Sequence, residues 1–595
     1  MDNILLKDLN EEQKKAVVFD KGPLMILAGA GSGKTRALTY RVAYLIKEKK
    51  IDPSRILLAT FTNKAAGEMK ERVKQLIGED GNLGFVGTFH SFCAMLLRKE
   101  GKYIGIDVDF TIYDESDSLE TIKQAMSNLD ISDKTYKPRS IKTIISQAKN
   151  ELIVALEYGQ IARGHWQETA GRVYLEYQRL LKLYKVLDFD DLLMEAVRLL
   201  VKEAKVKEKY SQKFYYILVD EYQDTNRAQY KLTKILASKW RNLCVVGDAA
   251  QSIYLWRGAD YRNLMNLKND FPDITIINLE QNYRSTQNIL KAANQVIAKN
   301  RLHPILKLWT EAKAGSRIKI YEAKDGKDEV KFIIKELKKS KDPGKDAVLY
   351  RTNAQSRAVE EELIKAGIAY VLVGGVRFYS RKEIKDCLAY LRYLLNPKDR
   401  VSYQRLEKIG KRRLDNFLKW REDYKKRDKK LTSWEILKEI LKATKYLEKY
   451  DEKNEQDLMR LENIKELKSV AREFPELKLF LEQVALVEKA SLLAKKDKGN
   501  KKRQMVTLMT LHASKGLEFK RVFIIGMEEG LFPHSRSMMD KQELEEERRL
   551  CYVGMTRAKK ELCLSYAQRR LYFGRWNNNS VSRFLGDIET ELLER

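Results

Sequence analysis

The sequence has no Cys-x-x-Cys pair and no apolar run approaching the ~18 residues needed to cross a bilayer. Its five cysteines, Cys93, Cys244, Cys387, Cys551 and Cys563, are scattered, which argues against a disulfide framework and against a zinc or iron–sulfur cage. They read as core thiols. The opening residues Met1 to Asp8 carry no signal-peptide pattern, so a cytoplasmic protein with no membrane partner is expected. Internal repeats are missing too, and the only loose tract is Lys495 to Arg503, which reads as a linker.

What is present is length and positive charge. At 595 residues the chain has room for about four globular units. Lys and Arg number 113 against 84 Asp and Glu, a net charge of +29 that favours a polyanionic partner. The excess is uneven: positions 381–505 hold 35 basic and 22 acidic residues, and Lys411 to Lys430 hold ten and four. That stretch reads either as a solvated helix face or as a contact to a duplex backbone.

Short apolar runs bounded by polar or turn residues recur at 24–28, 56–60, 216–219, 244–247 and 275–279. Alternating with helical patterns, they predict a parallel α/β sheet. A second series at 317–322, 346–350, 370–373, 506–511, 522–526 and 562–566 predicts another. Each is interrupted by a stretch of helical periodicity with few strand runs.

The most specific chemistry lies in Ala28-Gly29-Ala30-Gly31-Ser32-Gly33-Lys34-Thr35-Arg36, directly after the apolar run Leu24 to Leu27. A strand turning through glycines into a helix presents successive backbone N–H groups, and the positive helix end, to a phosphate chain. Lys34 then reaches the β and γ phosphates, and the Thr35 hydroxyl ligates Mg²⁺. Ala28 replaces the first glycine of the usual pattern, which requires that this position need no positive φ. A second apolar run ends in Asp220-Glu221-Tyr222-Gln223-Asp224. Asp220 suits Mg²⁺ coordination, and Glu221 suits polarising an attacking water as general base.

Together these motifs resemble the UvrD/PcrA/Rep-type helicases of superfamily 1A, whose remaining signatures follow in family order. By that resemblance Gln13 reads the adenine edge, Tyr283 and Arg36 sandwich the ring, and Glu518 contacts the ribose or phosphate end. Gln251 senses the γ phosphate or positions water. Arg284 and Arg557 fit the arginine that phosphoryl transfer uses, worth ~10³ to 10⁵ in rate. Both fall in the second predicted half, while Lys34, Asp220 and Glu221 fall in the first, so hydrolysis is expected to require the halves to close. Asn63, Thr88, His90 and His512 lie in motifs matching the family's DNA contacts. Phe61, Tyr254, Trp256 and Phe573 are aromatics in polar motifs, which read as stacking platforms for unpaired bases or else as core. Arg257, with His90, would accompany the phosphate chain. Tyr572 to Trp576 resembles the hairpin that in this family lies at the strand-separating junction.

The resemblance implies two RecA-like α/β P-loop domains, each with a mainly helical insertion. The boundaries expected are 1–113 with 206–279 for the first domain and 114–205 for its insertion. Residues 280–383 with 503–595 form the second domain, and the basic stretch 384–502 its insertion. The activity implied is an ATP- and Mg²⁺-dependent DNA translocase and helicase, moving 3′ to 5′ on single strands and acting at single–double strand junctions in repair or replication restart. The alternative is a single-strand binding protein or ATPase that does not unwind efficiently. Stacking gains of ~1 to 3 kcal/mol per base only match the ~1.4 kcal/mol cost of opening a pair, so directional unwinding needs fuel. Two departures stand out: Ala250 where relatives carry an acid, and Ile409-Gly410 as the remnant of a glycine–isoleucine–glycine duplex signature. If phosphate contacts dominate, log affinity for single-stranded DNA falls steeply and linearly with log salt in a fluorescence titration, and a flat profile would contradict that.

Overall fold

The computed structural model describes residues 5–78, 83–427, 430–452, 454–496, 504–572 and 575–594. Contacts divide the chain into two compact units, one of Met1–Arg284 with Arg301–Glu311, the other of Ser285–Asn300 with Ala312–Arg595.

The first unit holds β1 (Leu24–Ala28), β2 (Ile56–Thr60), β3 (Phe85–Thr88), β4 (Thr111–Tyr113), β5 (Val186–Asp188), β6 (Tyr216–Val219), β7 (Leu243–Gly247) and β8 (Thr275–Leu279). Six of these form one parallel sheet in the order β3-β2-β6-β7-β1-β8. Its central strands are apolar on both faces because helices cover both. From β1, Leu24, Ile26 and Ala28 join Leu38, Val42 and Met69 on one side, while Met25 joins Phe92, Leu192 and Leu232 on the other. Ala28 ends β1 as ordinary strand, so the alanine in place of glycine carries no strain. Strand β3 escaped the apolar-run pattern because it is four residues long, half-buried and at the sheet edge.

The insertion in this unit has its own core, including Ile122, Met126, Ile141, Ile145, Tyr177 and Leu181, and a two-strand ladder of β4 with β5. The helix Phe189–Lys202, which periodicity groups with the insertion, instead packs Leu192, Leu193, Val197 and Leu200 into the sheet core. An amphipathic pattern states that a face is buried, not against what. The two layers are joined by a buried ion pair. Lys149, 0 % exposed at its side chain, lies 2.6 Å from Asp188 and 2.8 Å from Asp191, and the Tyr177 hydroxyl donates to Asp188 at 2.8 Å. The Asp188 carboxylate is held below its usual range despite burial because the Lys149 ammonium faces it.

The second unit holds β9 (Ile318–Asp325), β10 (Asp346–Tyr350), β11 (Tyr370–Leu372), β12 (Val506–Thr510), β13 (Phe519–Ile524), β14 (Ala558–Tyr572), β15 (Arg575–Asn577) and β16 (Leu593–Glu594). The sheet runs β11-β12-β10-β13-β14-β9-β16, parallel throughout, with β15 turned back antiparallel on β14. Its insertion is helical, around Leu388, Tyr390, Phe417, Leu437, Ile464 and Leu467. In the basic helix Lys411–Lys425, Leu414, Phe417 and Trp420 are buried while Lys411, Arg412 and Lys419 face solvent. Gly410 turns the chain into this helix at φ 133°.

The helix Glu455–Glu473 is buried on its polar side as well as its apolar side. Glu466 accepts from Arg357 at 2.7 Å, Asn463 from Arg381 at 2.6 Å, and Glu462 lies 2.9 Å from His534. These pairs fasten the insertion to the α/β layer. The linker expected at Lys495 to Arg503 falls largely outside the described residues. All five cysteines are free and buried, and burial pushes the Cys244 thiol up to about 11. Among the described residues no helix is long and apolar enough to cross a membrane.

Removing one partner of a buried ion pair leaves the other charge uncompensated, at a cost of ~3 to 5 kcal/mol. Lys149→Met, which strands two carboxylates, is therefore expected to lower the melting temperature by several degrees in differential scanning fluorimetry. An unchanged melting temperature would show that the pair contributes nothing net.

Candidate nucleotide site and single-strand platform

The carboxyl ends of parallel strands share one edge, where ligands of open α/β sheets bind. Here that edge carries the loops after β1, β2, β3, β6, β7 and β8.

After β1 the chain passes through Gly31 at φ 69° and Gly33 at φ 84°, values that favour glycine. Gly33 precedes the helix Lys34–Lys47 and has no side chain with which to cap it, so the first-turn N–H groups receive no side-chain cap. The loop is tightly enclosed. A Cβ on Gly33 would stand 2.7 Å from Gln13 Nε2, and one on Gly31 would stand 2.6 Å from Asn282 Nδ2. Lys34 Nζ is buried, and among the described residues it has no hydrogen-bond partner. A buried ammonium without an acceptor is costly, and an anion in the loop would relieve it. The remaining loop residues, Gly29, Ala30 and Ser32, close the cradle, with Ser32 Oγ donating to the Gly29 carbonyl at 2.8 Å.

The residues expected to meet adenine, Gln13, Tyr283 and Arg36, gather in the same unit. Gln13, buried in the helix Glu11–Val18, donates its amide to the Ser32 carbonyl at 2.9 Å. Tyr283 is 55 % exposed, its hydroxyl accepting from Asn10 Nδ2 and donating to Gln281 Oε1, both at 2.8 Å. Arg36 extends over Tyr40 and lies 3.6 Å from Asp8, with its side chain still 42 % exposed. Thr35 lies beside it in the first turn of the helix.

By their contacts Asn282, Tyr283 and Arg284 group with the first unit. The cause is a pair of bonds to the phosphate loop: Asn282 Nδ2 donates to the Ala30 carbonyl at 2.7 Å, and the Tyr283 N–H donates to the Gly31 carbonyl at 2.9 Å. Arg284 is thereby held next to the loop by its own unit.

After β6, Asp220 is buried and its N–H donates to the Ala59 carbonyl at 2.9 Å. Glu221 adopts φ 51°, left-handed backbone that a non-glycine residue rarely takes. Gln251, after β7, is buried and donates to Asp248 Oδ2 at 2.6 Å. Asp248 and Gln223, neither singled out from sequence, tie these residues together. Their signal was present in the motifs, but as polar residues without an obvious reaction to perform.

The same edge presents an aromatic platform. Phe61 and Tyr254 stack with centroids 5.9 Å apart and planes 6° off parallel. The Arg257 guanidinium lies 5.6 Å from the Tyr254 ring centre and 4.4 Å from that of Trp256, which is 39 % exposed. Phe61 and Tyr254 are half-buried, and none of the three aromatics belongs to the buried core. Asn63 is exposed in the first turn of the helix Asn63–Ile77, and Thr88 caps the helix Phe89–Glu100 through Ser91 N–H. His90 stands edge-on to Phe189, and burial holds its pKa below the usual imidazole value.

In the second unit, Arg557 is buried and donates to the Val553 and Leu517 carbonyls at 2.9 and 3.2 Å. Glu518 is exposed and pairs with Lys559. His512 is half-buried in the turn after β12. Phe573 lies outside the described residues, although the strands flanking it, β14 and β15, do pair as a hairpin.

A phosphate loop after β1 and paired carboxylates after β6, on the same edge of a parallel sheet with β7 between them, define the P-loop class of nucleotide-binding proteins. The chain belongs to the UvrD-like helicase family: residues 9–272 match the UvrD/REP helicase N-terminal domain, and residues 277–434 and 411–569 the UvrD-like helicase C-terminal domain. It is 44% identical to the ATP-dependent DNA helicase PcrA of Bacillus subtilis (strain 168), over 100% of this chain and 87% of that protein. It is 43% identical to proteins of the same name from Staphylococcus aureus (strain Mu50) and Staphylococcus epidermidis, over 100% of this chain and 88% of each.

Stacking contributes ~1 to 3 kcal/mol per base, so Trp256→Ala is expected to weaken single-strand stimulation of ATP hydrolysis by about tenfold or more while leaving the KM for ATP nearly unchanged. Unchanged stimulation in steady-state assays would remove Trp256 from the platform.

Proposed function

We propose that the protein is an ATP-dependent DNA helicase that translocates 3′ to 5′ on single-stranded DNA and opens duplex at single–double strand junctions, in repair or replication restart. The observation that carries this proposal is the sharing of one strand-end edge by the phosphate loop, with its buried Lys34 Nζ, and the platform of half-buried Phe61 and Tyr254 with exposed Trp256. A nucleotide and a single strand bound there would touch consecutive loops of one rigid sheet. The family and the PcrA relatives support the same assignment.

In this proposal Lys34 offsets charge on the terminal phosphates and Glu221 accepts the proton of the attacking water. Gln251 holds that water or the γ phosphate, and Arg284 adds positive charge beside the loop; Arg557 of the second unit is proposed for the same role. Gln13, Tyr283 and Arg36 receive the adenine, and Glu518 the ribose or phosphate end. Thr35 and Asp220 would hold Mg²⁺, which when bound supplies screening of the phosphate charge. Phe61, Tyr254, Trp256 and Phe573 stack bases, while Asn63, Thr88, His90, Arg257 and His512 contact the strand. The exposed basic face of the helix Lys411–Lys425 is proposed to meet the duplex backbone.

The test is phosphate release with and without single strands, together with unwinding of duplexes tailed on either side. Lys34→Ala and Glu221→Gln are each expected to lower DNA-stimulated kcat by at least ~10²-fold. Unwinding is expected only with ATP and only from a 3′ tail. Equal phosphate release with and without DNA would overturn the motor assignment, and efficient unwinding from a 5′ tail would overturn the direction.

A further inference from the structure

Between the base expected at Glu221 and the phosphate-sensing Gln251 lies a side chain to which no role has been given. Gln223 is 0 % exposed, two residues after Glu221. Its Oε1 accepts the Asp248 N–H at 3.0 Å, and its Nε2 donates to Glu221 Oε2 and, more weakly, to Asp224 Oδ2 at 3.4 Å. The orientation of this amide is dictated by chemistry. A backbone N–H only donates and an ionised carboxylate only accepts, so Oε1 must face Asp248 and Nε2 must face Glu221.

The far side of the bridge is equally fixed. Asp248 Oδ2 accepts from Gln251 Nε2 at 2.6 Å, and its Oδ1 accepts from the Ala250 N–H at 3.0 Å. The Ser252 hydroxyl donates to the Gln223 carbonyl at 3.2 Å. Gly247 leaves the room this requires, since a Cβ there would lie 2.8 Å from Gln223 Oε1. A displacement of Gln251 that carries Asp248 with it therefore moves the N–H donor that holds Gln223 Oε1. Asp248 thus connects this loop to the β6 end, through its N–H to Gln223 and its carboxylate to Gln251.

We infer that Gln223 is a positioning residue: through Asp248 it transmits the placement of Gln251 to the Glu221 carboxylate, fixing that carboxylate's plane for proton transfer. This inference rests on the assignment of Glu221 as general base. It extends that assignment by naming the connection through which the loop carrying Tyr254 and Trp256 acts on hydrolysis.

Two variants and one control test it in the full chain. Gln223→Leu removes both bonds at similar volume; loss of a hydrogen bond to a charged group predicts a DNA-stimulated kcat lower by ~10- to 100-fold. The KM for ATP is expected to stay within ~3-fold, because the interaction lost belongs to the chemical step. Gln223→Glu keeps the packing and the acceptor for Asp248 but loses the N–H donor to Glu221, so DNA-stimulated kcat is expected to fall by ~10-fold or more with the KM for ATP and the melting temperature close to wild type. A merely structural role would lower the melting temperature and leave the kcat of the folded enzyme unchanged. Binding of a fluorescent ATP analogue shows that each variant retains a folded nucleotide site.

Wild-type kcat in both variants would overturn the inference, as would a kcat that falls only in step with a lowered melting temperature. Glu221→Gln separates the two levels. If it retains stimulated turnover, the assignment of the base fails and this inference with it. If it loses turnover while the Gln223 variants behave as wild type, only the inference fails.

Discussion

Everything chemical in the first unit depends on strands running in one direction. Six parallel strands bring six carboxyl ends to the same edge. Loops far apart in sequence, after residues 28, 60, 88, 219, 247 and 279, become neighbours without any of them having to be long. The cost is burial on both faces, met by apolar helices on either side: Leu38, Val42 and Met69 against one, Phe92, Leu192 and Leu232 against the other. A sheet covered this way is stiff, so loops at its edge inherit fixed positions.

Onto that edge the chain adds local backbone that is unfavourable by itself. Glu221 takes left-handed φ where a glycine would be easier, and the surrounding bonds hold it there. Gln223 bonds Glu221 and is itself held by Asp248, both buried, where a satisfied polar network rigidifies and an unsatisfied one is expensive. Lys34 is the complementary case. Its charge is buried without a hydrogen bond among the described residues, a condition suited to receiving an anion.

The insertions are attached by charge as well as by apolar packing. Lys149 between Asp188 and Asp191 in the first unit, and Arg357, Arg381 and His534 against the helix Glu455–Glu473 in the second, are pairs whose removal from water is offset only while both partners are present. Such junctions favour one registry of insertion against sheet. They are also why the helix Glu455–Glu473 shows little amphipathic pattern: its polar face meets buried cations instead of solvent.

Local composition was enough to specify the strands with apolar runs, from Leu24–Ala28 to Asp346–Tyr350, because burial on both faces leaves an unmistakable sequence. It also specified the phosphate loop, since glycine at positive φ and a following helix are properties of contiguous residues. The edge strand Phe85–Thr88, the core joined by the helix Phe189–Lys202, and the attachment of Tyr283 and Arg284 to the loop they flank were decided by partners distant in the chain. So was the bridge from Glu221 through Gln223 and Asp248 to Gln251. A side chain's chemistry can be read from one position, but the donor or acceptor that orients it is brought there only by the folded sheet.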